Sequence, residues 1–283
     1  MTKIPAFGDI GKQAKEVLQG GKEGVYQFDK KAAFLAKTDF GADVKLTSIL
    51  KDDKHTVDIK ASGSPMKALD VDTTLSLPAG KVASSLTYTG LPVAGLKLAL
   101  ASPVLASGAL SLDPKLTVDY SRPYLTSKLA LPLAATPTVD LTASTGLSAD
   151  VFAGVSASYD VGKSSLKKLD VGVGYNAKKL SVGFLVSDKM GTAKALAAMP
   201  LLRDEVVAVE GTYGIRTGAI GYAIGWQHKV NGALYKAKID HAGKASVLYE
   251  AEMRPQTKVS LAMEMNAFTA GQARMGLGLD VKN

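Results

Sequence analysis

The chain has 283 residues, 46% of them hydrophobic, with 34 Lys and Arg against 26 Asp and Glu, a net charge of +8. It has no cysteine, which excludes disulfides, thiol catalysis and thiolate metal sites. No apolar run reaches the ~18 residues that a membrane-crossing helix needs, so that class is excluded too. The apolar content must be spread over many half-apolar segments.

The first two dozen residues differ from the rest. Ile10, Ala14, Val17 and Leu18 recur at the spacing of one helical face. The spacing predicts an amphipathic helix over residues 6–19, about 21 Å long at ~1.5 Å per residue. Gly20-Gly21 ends it, and Gly24 adds freedom before the next element. The opening residues lack the apolar core of a secretory signal. They contain no Arg and include Asp9 and Glu16, unlike a cleavable mitochondrial presequence, so any targeting signal is expected to be internal.

From about Val25 onward, polar or small residues alternate with apolar ones in segments of roughly ten. Ala42, Val44 and Leu46 oppose Asp43, Lys45 and Thr47, and Ile220, Tyr222, Ile224 and Trp226 oppose Ala219, Gly221, Ala223 and Gly225. Further on, Val247 and Tyr249 oppose Ser246, Glu250 and Glu252, while Val259, Leu261 and Met263 oppose Lys258, Ser260 and Glu264. In the last segment Met275, Leu277, Leu279 and Val281 oppose Arg274, Gly276, Gly278 and Asp280. Successive side chains of a strand point to opposite faces, so each segment has one apolar and one wet side.

Turn signals separate these runs: Lys51-Asp52-Asp53-Lys54, Ser64-Pro65, Pro78-Ala79-Gly80, Gly90-Leu91-Pro92, Asp113-Pro114, Asn231-Gly232 and Ala242-Gly243. Short turns imply an up-and-down meander. Residues 103–145 are harder to segment, because Pro103, Pro114, Pro123, Pro132 and Pro137 interrupt them. Alternation alone does not separate a membrane barrel from a soluble sandwich. Strand length near ten, short turns and an aromatic content of only 6% favour the barrel. A sheet in hydrocarbon must then close, since an open edge leaves backbone groups without partners.

Phe7-Gly8-Asp9-Ile10-Gly11-Lys12-Gln13-Ala14-Lys15-Glu16-Val17-Leu18, Gly95-Leu96-Lys97-Leu98 and the ending from Lys258 to Val281 resemble the mitochondrial porins, the voltage-dependent anion channel family. The resemblance implies an all-β membrane protein: residues 1–24 form a lumenal helix with its glycine hinge, and residues 25–283 form a transmembrane β-barrel. Segmentation gives about nineteen strands. The resemblance carries that same number, with the first and last strands parallel, so the two are not independent. It further implies a voltage-gated, weakly anion-selective diffusion channel of the mitochondrial outer membrane, passing ATP, ADP, phosphate and other metabolites. Membrane lipids, docking kinases and further copies of the chain are the implied partners. No cofactor is implied. Arg274, Gly276, Leu277, Leu279 and Val281 resemble the sorting signal of the family's final strand, although any terminal barrel strand would carry a similar pattern.

By phase, the cations expected to face water in the lumen are Lys12, Lys15, Lys97, Lys45, Lys236, Lys238, Lys258 and Arg274. For Lys12, Lys15 and Lys97 the resemblance suggests nucleotide contact. The acids Asp43, Asp240, Glu250, Glu252, Glu264 and Asp280 compete on the same faces, so a weak anion preference is expected. The helix with Asp9, Lys12, Lys15 and Glu16, hinged at Gly20 and Gly21, is a candidate voltage sensor, as is the charged wall. Some family members carry a lipid-facing glutamate in the fourth strand. Here Thr73 and Thr74 stand there, with Asp70 and Asp72 in uncertain phase.

Other chemistries find little support. Basic and acidic residues are interspersed, without arginines interleaved with aromatics, so nucleic acid is not expected as a partner. His55, His228 and His241 lack metal-ligand spacing. Gly172-Val173-Gly174-Tyr175-Asn176-Ala177 imitates a dinucleotide fingerprint but lies in an alternating strand with no helix after it. The chain is therefore not expected to be an enzyme. Two rivals stay open at this point. A protein-import pore would be expected to have a longer N-terminal extension and an acidic path, and a soluble β protein would act as a binding module.

Overall fold

The computed structural model describes residues 4–21, 24–38, 41–52, 54–105, 114–134, 136–269 and 273–282. The order of strands is β1 (Lys30–Lys37), β2 (Asp43–Lys51), β3 (Lys54–Met66), β4 (Leu69–Leu77), β5 (Lys81–Tyr88), β6 (Leu96–Leu105) and β7 (Lys115–Ser121). There follow β8 (Leu125–Pro132), β9 (Thr138–Gly146), β10 (Val151–Asp160), β11 (Ser165–Asn176), β12 (Ser181–Ser187) and β13 (Thr192–Leu202). The last six are β14 (Glu205–Gly214), β15 (Ile220–Val230), β16 (Ala233–Asp240), β17 (Lys244–Arg254), β18 (Thr257–Asn266) and β19 (Arg274–Lys282). They form one closed 19-stranded sheet in which neighbours in sequence pair antiparallel. Closure is made by β1 against β19 in parallel, with Lys31 opposite Gly278 and Leu35 opposite Lys282. An odd number of strands in a meander requires one such parallel seam.

The register divides the side chains into two sets. On β18 and β19, Lys258 lies opposite Asp280, Ser260 opposite Gly278, and Glu264 opposite Arg274. The alternate residues Leu261 and Leu277 are each 49% exposed on the other face. Carrying the register round the sheet puts Phe34, Leu46, Leu100, Phe184, Ile220, Ile224 and Val247 on that outer face, where all are exposed. So large an apolar belt is stable only against hydrocarbon. Outward tyrosines stand at the last or next-to-last residue of β5, β7, β10, β11 and β14: Tyr88, Tyr120, Tyr159, Tyr175 and Tyr213. Aromatic girdles of this kind mark the two edges of a membrane band.

The N-terminal segment lies against the inner wall. A single 3-10 turn, Phe7–Asp9, is followed by the helix α1, Lys12–Leu18. The expected helix over 6–19 is therefore broken and shorter. Gly11, at φ 65° in the left-handed region, separates the two pieces. It presses on β12 and β13: a Cβ on Gly183 would lie 2.7 Å from the Gly11 nitrogen, and one on Gly11 would lie 2.8 Å from Leu196 Cβ. The apolar face is the expected one, with Ile10 and Ala14 at 0% exposure and Val17 and Leu18 at 2% and 3%. Val17 and Leu18 cluster with Leu196, Ala198 and Ala208 of β13 and β14.

Most turn signals fall between strands, and one, Ser64-Pro65, does not; Pro103, one of the prolines that obscured the segmentation, lies inside a strand. Ser64-Pro65 lies inside β3, at a register shift between Gly63 and Met66. A bulge tolerates proline there because the ladder is already interrupted, and the reversal comes at Ala68, φ 70°. Pro103 lies within β6, whose ladder to β7 ends at Ala101, so no bond is lost on that side. Asp113 and the rest of 106–113 lie outside the described residues.

Candidate functional site

The inner face of the wall and the N-terminal segment define the aqueous surface. Alternation puts charge there, and register brings opposite charges into reach of each other. Lys128 approaches Asp119 at 3.6 Å, Lys194 Glu210 at 2.6 Å, Lys244 Glu264 at 3.0 Å and Lys258 Glu250 at 3.3 Å. Lys60 meets Asp72 at 3.2 Å. Much of the inner charge is thus neutralised in pairs, each worth little in contact with water.

The cations expected in the lumen have different surroundings. Lys12 pairs with Asp9 at 2.8 Å, and that hydrogen bond raises its pKa. Lys15 reaches the Gly8 carbonyl at 3.3 Å; desolvation, then the nearby Lys194, lower its pKa against the opposing Glu210 and Asp9. Lys97 opens the inner face of β6 opposite Asp119, whose carboxylate is already engaged by Lys128. Lys45 is exposed on the inner face of β2. Lys238 stands 4.5 Å above the ring of Tyr26, and Arg274 is 3.8 Å from Asp29.

Lys236 differs from its expected place on the water-facing surface. It is 0% exposed. Its Nζ donates to the carbonyls of Glu16, at 2.8 Å, and Gly24, at 3.0 Å. The reason is steric. α1 lies over β13–β16, so the inward side chain of β16 at this height meets peptide carbonyls instead of water. Glu16 belongs to the last turn of α1, where carbonyls lack helical donors, so a cation there is well placed. Tyr26 adds a second tie, donating from its hydroxyl to the Val17 carbonyl at 3.3 Å, and burial pushes its pKa up. The hinge glycines are constrained by contact: a Cβ on Gly20, at φ 86°, would lie 2.9 Å from Val25 Cα.

The glycines of the false dinucleotide fingerprint serve packing. A Cβ on Gly172 would lie 3.0 Å from Ile10 Cδ1, and one on Gly174 would lie 2.5 Å from Phe152 Cε1. Asp70 and Asp72 fall on the inner face of β4 by register with Thr87 and Ser85, while Thr73 faces outward opposite Ser84. Thr73 and Ser84 are 3.4 Å apart, so the outer position of the fourth strand carries a hydroxyl pair and no acid.

Sequence reasoning missed Lys194 and Glu210, although their segment alternates; Glu210 also receives Gln19 of the N-terminal segment at 3.4 Å. It missed Lys31 and Lys282 at the seam, whose proximity only closure reveals.

A closed sheet with an apolar exterior, a charged interior and a segment laid inside it is a pore-forming transmembrane barrel. The chain belongs to the eukaryotic porin family, whose match runs over residues 3–276. It is 27% identical to mitochondrial outer membrane protein porin 6 of Oryza sativa subsp. japonica and 27% identical to mitochondrial outer membrane protein porin 4 of Arabidopsis thaliana, each over 100% of both chains. Among solved structures it is similar to a triple mutant of the Rhodopseudomonas blastica porin, at TM-score 0.50 and 10% identity, over 89% of this chain and 95% of that one, a likeness of fold alone. As a porin the chain forms a channel and is not an enzyme.

Proposed function

We propose that the protein is a voltage-gated, weakly anion-selective diffusion channel of the mitochondrial outer membrane, passing nucleotides, phosphate and other small metabolite anions. The observation that carries this reading is the inner-face charge balance. Among the described residues, eight inner-face acids are held in ion pairs and six, Asp43, Asp58, Asp70, Asp240, Glu252 and Asp280, are not. On the same face Lys31, Lys37, Lys45, Lys51, Lys54, Lys81, Lys97, Lys238 and Lys282 have no carboxylate within salt-bridge distance among the described residues. A modest surplus of free ammonium groups favours anions without barring cations. The names of the relatives support the location.

Charge crosses the field when the segment bearing Lys12 and Lys15 moves, and each elementary charge gains about 2.3 kcal/mol per 100 mV. Lys97 stands apart from α1, so it contributes to selectivity without belonging to the moving part.

Planar-bilayer recording tests the proposal. Reconstituted protein is expected to give a large, salt-dependent conductance with modest anion preference, falling at higher voltage of either sign. Replacing Lys12, Lys15 and Lys97 by Glu should move the reversal potential toward cations. Firm cation selectivity in the unmodified channel would contradict the reading, and an unmoved reversal potential would remove these lysines from the conduction path.

A further inference from the structure

We infer that the parallel seam of the barrel holds a binding site for a phosphate chain, roofed by the linker between α1 and β1. The inference rests on the channel reading and adds to it a defined place of binding. A cavity of about 340 Å3 lies between β1, β2, β17, β18 and β19 and the linker residues Gly24, Val25 and Gln27. That volume equals roughly ten waters, enough for a hydrated diphosphate.

The seam concentrates cations there. Leu35 of β1 is opposite Lys45 of β2 on one side and opposite Lys282 of β19 on the other. Adjacent strands are ~4.8 Å apart, which puts these two lysines about 10 Å apart across an apolar floor. Each side chain is long enough to lean over Leu35 toward a shared ligand. Lys31 enters from the same face of β1, two alternations earlier. None of the three has a carboxylate within salt-bridge distance among the described residues, so their donors are available.

The acids of the cavity are fewer. Glu250 is engaged with Lys258 at 3.3 Å, and Asp280 stands beside them on β19. Three open ammonium groups against one open carboxylate favour a ligand with at least two negative charges. Lysines act as point charges with freely rotating donors. They suit the distributed oxygens of a phosphate chain better than a planar carboxylate, which arginine forks recognise. A bound phosphate chain would touch both the wall and the linker and so tie the N-terminal segment to the seam.

The test uses the full chain in lipid nanodiscs at low ionic strength, where such charges are least screened. Calorimetric titration with pyrophosphate is expected to saturate at one equivalent. Lys45→Gln with Lys282→Gln should weaken it at least tenfold, and Lys128→Gln, on the inner face of β8 away from the seam, less than twofold. ADP should displace pyrophosphate, and adenosine should not, placing recognition on the phosphates; displacement by adenosine would contradict it. Amide exchange at residues 24–27 should slow when pyrophosphate is bound. If the double variant fails to insert, Lys282→Gln alone, at the end of its strand, should still weaken binding several-fold. Binding that does not saturate, or that Lys128→Gln weakens equally, reduces the site to diffuse attraction by the lumen and overturns it. Anion-preferring conductance with no saturable binding rejects the site and leaves the channel reading intact, whereas absent conductance rejects that reading itself.

Discussion

Lys236 holds two carbonyls that lie eight residues apart in the N-terminal segment, Glu16 and Gly24. A buried ammonium bonded to carbonyls is costly to truncate, because the acceptors lose a charged donor; the loss is about 1.5–3 kcal/mol. Lys236→Gln is therefore expected to loosen the segment by roughly 2–3 kcal/mol, seen as faster amide exchange over residues 16–28. Unchanged protection would show that the other contacts of the segment, apolar and polar, hold it without this ammonium. Lys15 gives a pH dependence of defined sign. Its pKa is lowered where it is docked, so the undocked segment binds more protons there. The docking penalty from its charge is thus complete below the lowered pKa and is relieved as pH climbs toward the ordinary lysine value. A spin-label pair on Gln13 and Ala99 should report tighter docking at pH 10 than at pH 7, and Lys15→Met should flatten that change. Lys12 acts in the opposite sense, since Asp9 raises its pKa. Their pair lies within the segment, so it contributes little to docking.

At the scale of elements, the strands were legible because one solvent on each side imposes one period of two. β15 and β19 carry the expected apolar face outward without exception. The segment before β1 was legible in its apolar face but not in its length. A helical period says which residues are buried together, and it does not reveal that Gly183 and Leu196 press on Gly11 and turn the backbone there. Ser64-Pro65 misled for a related reason, since proline marks a break in a ladder and a bulge is as good a break as a turn. The two faces predict opposite responses to charge. Leu261→Lys, midway along the outer face of β18, should cost about 2–4 kcal/mol and reduce insertion into vesicles. Ser260→Lys, one residue away on the inner face, should insert as the unmodified chain does. Equal behaviour of the two variants would contradict the assigned faces.

In the whole molecule, closure creates what no single strand contains. The seam joins residues near the two ends of the chain, so Lys282 becomes a neighbour of Lys31 and Lys45, which only the hairpin of β1 and β2 links locally. For the same reason the phase of Lys236 was readable while its burial was not. Phase fixes a face, whereas burial depends on where the N-terminal segment comes to rest. The charges that remain open toward water set the modest selectivity proposed here, and the paired ones chiefly keep the inner face wet.

The account depends on water inside the wall and hydrocarbon outside it. The absence of cysteine from the sequence makes single-cysteine accessibility unambiguous. Cysteines placed one at a time at residues 274, 275, 277, 279, 280 and 281, in protein reconstituted in vesicles, should react with a charged, membrane-impermeant thiol reagent at the two even positions. At odd positions they should react only with a lipid-soluble one. Gly276 and Gly278 are kept, because a Cβ there would meet the Gln27 carbonyl and the Ser260 hydroxyl. Uniform labelling, or an alternation of the opposite phase, would contradict the barrel as described.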